Sequence, residues 1–160
     1  MSAQSFPLSD HVVLSGGSTI LYLYTSSEAY YSNAASFIRS GLEWGQKAIL
    51  IDSAGHYRAI SAKLEKQLPL HNLIFMEQSE RTFGPGDGHS QRTLDQLENI
   101  ISPMLWNHWH IRVWWHRGID ERGPADVLHH NAEYENIPGA DKPRTVCVCA
   151  YDANAITASR

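Results

Sequence analysis

Long hydrophobic runs, excess positive charge and cysteine are scarce in this chain of 160 residues, and each shortage removes a class of function. No segment approaches the ~20 apolar residues of a membrane-spanning helix, and Met1 to Asp10 holds neither a basic region nor a continuous apolar stretch. The chain is therefore expected in the cytoplasm, without a membrane partner. Lys and Arg total 13 against 17 Asp and Glu, a formal net charge of −4, so no positive field is available to neutralise a row of phosphates. Nucleic acid is excluded as a partner on that ground. The two cysteines, Cys147 and Cys149, would share one face of a strand, which suits reduced core thiols rather than a disulfide framework.

What is present suits one domain with a single buried core, since 42% of the residues are hydrophobic. Five short apolar runs alternate with helix-periodic segments, the pattern of a mostly parallel sheet of about five strands with helices on both faces, an α/β fold of three layers. The strands are expected at Thr19–Tyr24, Lys47–Asp52, Asn72–Glu77, Ile111–Trp115 and Thr145–Ala150. Lys47–Asp52 shows no apolar alternation and reads as a central strand. The first helix should open on a capping pair of Thr25 and Glu28 and end near Gly41 or Gly45. A second should carry Tyr57, Ile60, Leu64 and Leu68 and stop at Pro69. A third should carry Leu94, Leu97, Ile100, Ile101 and Leu105, bent or ended by Pro103, and a fourth is expected over Ala125–Tyr134.

Several chemistries lack their residues. A nucleotide hydrolase of this topology needs glycines and a lysine after its first strand, and Thr25-Ser26-Ser27-Glu28 supplies neither. No Gly-x-Ser-x-Gly elbow or triad can be assembled, so no catalytic residue is assigned and the chain is not expected to be an enzyme. His108, His110, His116, His129, His130 and Glu133 crowd one stretch, and His129 or His130 could share a metal with Glu133. Their spacing is too irregular for a zinc motif, so neither metal nor cofactor is assigned. Ligand crevices in open α/β sheets lie at the carboxyl ends of the strands. There the sequence offers Tyr24, Asp52, Glu77, Trp114, His116 and Tyr151 as candidate ligand-binding residues.

Five short pieces, in order across most of the chain, resemble one family. They are Ile20-Leu21-Tyr22-Leu23-Tyr24 followed by Glu28 and Tyr30; Phe37-Ile38-Arg39-Ser40-Gly41-Leu42 followed by Gly45; Arg112-Val113-Trp114-Trp115-His116; Tyr134-Glu135; and Val148-Cys149-Ala150-Tyr151-Asp152. Together they resemble the MEDS domain, a sensory domain of bacterial and archaeal signalling proteins named for methanogens, methylotrophs and DcmR. The resemblance implies a fold related to the RecA and KaiC ATPases without their phosphate loop, and a regulatory role in sensing small organic molecules. The chain departs from the family pattern at Ser18, where a histidine is common, and at Arg117-Gly118-Ile119, where aromatic or acidic residues are common.

On this reading, residues 1–17 are an N-terminal extension and 18–160 a single sensory domain lacking the family's last helix. The expected function is non-catalytic binding of a small organic ligand and regulation of a partner protein such as a kinase or anti-sigma factor. An apolar face left uncovered by the last helix would favour a homodimer. The alternatives are a protein-interaction module of a kinase or anti-sigma pathway, and a degenerate nucleotide-binding enzyme.

Overall fold

The computed structural model describes residues 5–7, 13–15, 19–78, 89–117 and 145–154. The expected helix over Ala125–Tyr134 lies outside them, as do His129, His130 and Glu133. Two short strands, β1 (Ser5–Pro7) and β2 (Val13–Ser15), pair antiparallel within the segment expected to be an extension. The main sheet has five strands, all parallel: β3 (Thr19–Tyr24), β4 (Lys47–Asp52), β5 (Leu73–Glu77), β6 (Ile111–His116) and β7 (Thr145–Asp152). Their order is β3-β7-β6-β4-β5, so β6 is the middle strand and β4 is interior but next to the edge.

Helices α1 (Ser27–Glu43) and α2 (Ala54–Ser61) cover one face, where Phe37, Ile38, Leu42 and Ile60 pack with Ala48, Leu50, Trp114, Val146 and Val148. Helix α3 (His89–Trp106) covers the other, setting Leu97 and Ile101 against Ile49, Ile51, Val113, Trp115, Cys147 and Cys149. Strands buried on both faces explain the unalternated apolar runs. Each fully buried Leu, Ile or Phe contributes about 1.5–3 kcal/mol of transfer free energy. Both cysteines are free and buried beneath α3.

The first helix ends where the sequence places it, near Gly45, while its cap and the end of the second helix differ from expectation. Ser26, not Thr25, caps α1, accepting the Ala29 backbone N–H at 3.2 Å. Glu28 instead faces Lys63 at 2.6 Å. The helix closes with Gly45 at φ 75°, where the Gly45 N–H donates to the Leu42 carbonyl and the Gln46 N–H to the Gly41 carbonyl. That paired closure needs a left-handed residue, which glycine adopts without steric cost. Helix α2 ends at Ser61, well before Pro69, because tighter three-residue turns follow, with Lys63 bonded to Ile60 and Leu64 to Ser61. Leu64 is still buried and Leu68 still packs on the core, so their spacing marked burial rather than helix. Pro103 does not end α3, which runs on to Trp106 and stops before His108 at φ 62°.

At the amino-terminal edge of this sheet, on the α1 face, lies a buried arginine. Arg112 Nε donates to Gln46 Oε1 at 2.6 Å and Nη1 to the Phe37 carbonyl at 3.0 Å, while its guanidinium stacks 5.0 Å from the Phe37 ring. A Cβ on Gly41 would stand 2.6 Å from Arg112 Cδ, so glycine is required for the side chain to pass. The guanidinium meets the closing turn of α1, where carbonyl dipoles favour a cation. Burial lowers its pKa to about 10, and it stays cationic at neutral pH.

Candidate functional site

The same face carries a second buried charge at the opposite, carboxyl-terminal edge of the sheet. Asp52 is the last residue of β4, and its side chain is fully buried. Ser53 follows as the N-cap of α2, and this turn does two things at once. It aims the Ser53 backbone N–H at Asp52 Oδ1, 2.7 Å away, and it places His56 one turn on, with Nδ1 2.8 Å from the same oxygen. The helix amino terminus adds partial positive charge beside the carboxylate. The other oxygen, Oδ2, accepts the Tyr30 hydroxyl, which in turn accepts the Trp114 Nε1–H at 3.0 Å.

His116 completes the group from the end of β6. Its Nδ1 lies 3.8 Å from Asp52 Oδ1, and its Nε2 lies 2.7 Å from the Tyr24 hydroxyl. The aromatic rings close around the carboxylate: Tyr24 and Tyr30 are 4.5 Å apart, and the His56 and His116 rings stand edge-on at 86° with centroids 5.0 Å apart. Burial, then the nearby Asp52 carboxylate, pushes the Tyr30 phenol well above its ordinary pKa. Burial raises Tyr24 as well, helped by Asp152 and Asp52. Both phenols therefore stay protonated over any physiological range.

Access is one-sided. The Asp52 side chain is 0% exposed, but His56 and His116 are 27% and 19% exposed, so solvent meets the imidazoles and not the carboxylate. Among the described residues, the ion-pair partners of Asp52 are these two histidines. The buried carboxylate is held by hydrogen bonds and a helix end, an arrangement able to receive a cation or a polar ligand.

Four of the residues expected at the strand ends are thus brought together: Tyr24, Asp52, Trp114 and His116. Two are not joined to them. Glu77 pairs with Asp52 in register but is exposed on edge strand β5. Tyr151 faces the α3 side, packed with Cys147, Cys149 and Trp115, and burial raises its phenol to about 12 against the opposing pull of Arg117. Strand alternation separates it from Ala150, which lies on the α1 side. Tyr30 and His56 were missed as site residues. Tyr30 reads as an apolar helix position, and His56 stands apart from the histidine-rich stretch; the available signal was an aspartate ending a buried strand with a histidine four residues later across a capping serine.

Behind the cluster, Gln78 ties strand ends together. Its backbone N–H donates to the Asp52 carbonyl at 2.8 Å, its Nε2 to the His116 carbonyl at 3.1 Å, and its Oε1 accepts the Trp115 Nε1–H at 2.9 Å. These bonds hold the tips of β4 and β6 at a set separation, and with them Asp52 and His116.

A family model described as "MEDS: MEthanogen/methylotroph, DcmR Sensory domain" matches residues 20–160. No curated protein matches the chain. Among the described residues, no helix is long and apolar enough to cross a membrane.

Proposed function

The chain belongs to the MEDS family of sensory domains, and from that premise we propose that it senses a small polar organic molecule at the Asp52 cluster without transforming it. The supporting observation is a buried carboxylate ringed by two tyrosines, a tryptophan and two partly exposed histidines at the carboxyl ends of parallel strands. Ligands of open α/β sheets bind at that edge. Folding does not require such a group, because apolar residues of similar volume pack a core at lower cost. A ligand with a hydrogen-bonding head would engage His56 and His116, its remainder lying against the partly exposed Tyr31 ring beside His56. Occupancy would be relayed to a partner protein of a signalling pathway. Trp44 and Trp106, large and exposed, offer candidate contacts for that partner.

Thermal-shift screening of chelator-treated protein with small alcohols, aldehydes, amines and carboxylates tests this reading. A true ligand at about one hundred times its Kd should stabilise the fold by about 2.7 kcal/mol. The response should disappear in His116→Ala and weaken in Tyr24→Phe. A response of equal size in His116→Ala would remove the cluster from the binding site.

A further inference from the structure

We propose that Asp52, His56 and His116 form a binding site for one divalent transition-metal ion, with an open coordination position toward solvent. The proposal rests on the sensory reading above and specifies what the same cluster takes up. One donor atom from each residue, an aspartate oxygen and two imidazole nitrogens, lies within 4.8 Å of the other two. Asp52 Oδ1 is 2.8 Å from His56 Nδ1 and 3.8 Å from His116 Nδ1. Donors bound to zinc at about 2.0–2.2 Å stand roughly 3.0–3.5 Å from one another. The two separations from Asp52 bracket that span, and the two imidazoles lie within 4.8 Å of each other, so the set closes on a metal by a small inward shift.

Two of the three ligands also have their far atom engaged. His116 Nε2 meets the Tyr24 hydroxyl at 2.7 Å, which accepts the Nε2–H once Nδ1 turns its lone pair to the metal. Asp52 Oδ2 is held by Tyr30, itself oriented by Trp114 Nε1–H at 3.0 Å, and the Ser53 N–H steadies Oδ1 at 2.7 Å. Outer partners of this kind orient metal ligands and set imidazole tautomers. On binding, the metal takes the place of a proton at the His56 Nδ1 that faces Asp52, so the buried carboxylate gains a cation. The sequence spacing concealed the site, since the ligands come from β4, α2 and β6.

Two imidazoles and one carboxylate favour borderline ions such as Zn2+ or Fe2+ over Ca2+ and Mg2+. Three protein ligands leave at least one position for water or for an oxygen, nitrogen or sulfur atom of a small molecule.

Cobalt(II) is the probe, added to chelator-treated full chain and followed by visible absorption and calorimetry. One equivalent should bind, giving d–d bands that zinc abolishes. His56→Ala and His116→Ala should each weaken binding by at least a hundredfold, with unchanged far-UV circular dichroism confirming the fold. His108→Ala and His110→Ala should leave it intact. Failure to bind at millimolar cobalt, or binding that survives both cluster variants, overturns the proposal. The sensory reading stands or falls separately, on whether metal-free protein answers small organic ligands through His116.

Discussion

Two buried charges lie on one face of one sheet, at opposite ends, and only the one at the carboxyl-terminal end sits among side chains that reach solvent. Arg112 and Asp52 are both buried, and each meets a helix terminus of complementary polarity. Arg112 is enclosed by a glutamine, a backbone carbonyl and an aromatic ring, and Gly41 leaves it no spare room. None of those partners changes protonation or binds metal well. Asp52 is enclosed by groups that do both, and two of them reach solvent. Charge burial alone does not mark function; the chemistry and exposure of the partners separate the two ends.

Removing Arg112 should do the most damage. Arg112→Ala leaves the buried Gln46 acceptor unpaired and opens a cavity, and is expected to cost about 3–5 kcal/mol in urea denaturation. Cobalt binding, normalised to folded protein, should be unchanged. A loss of binding equal to that of His116→Ala would erase the distinction between the two ends. Next comes Gly41→Ala, expected to cost about 2 kcal/mol because the new methyl meets Arg112 Cδ. In an Arg112→Ala background the same change should cost nothing, since alanine is the better helix former. Additive penalties would show that the close approach is not the cause. The smallest effect belongs to Asp52→Asn, which keeps the shape and the Oδ1 acceptor while removing the charge. Stability should fall by about 1 kcal/mol, because an amide N–H replaces the acceptor of the Tyr30 hydroxyl, with cobalt binding lost. A destabilisation as large as that of Arg112→Ala would make Asp52 a structural residue.

Much of the fold was legible in the chain. The five strand positions emerge from apolar runs, and the sheet's burial on both faces from their lack of alternation. The second helix was overestimated because Leu64 and Leu68 keep helical spacing through a series of tight turns. The candidate site was legible only in part. Strand ends point to Tyr24, Asp52, Trp114 and His116, whereas Tyr30 reads as core, and the sequence leaves open which side of its strand Tyr151 faces.

Composition and periodicity by themselves determined an α/β domain of parallel strands, reduced cysteines and no phosphate loop after the first strand, because each of these is a property of short windows of residues. Only tertiary structure decided that β4 and β6 are neighbours and that α1 lies over both, which brings Tyr30, Asp52, His56 and His116 together from three separate segments. Strand order is set by packing between distant parts of the chain, and no local pattern encodes it.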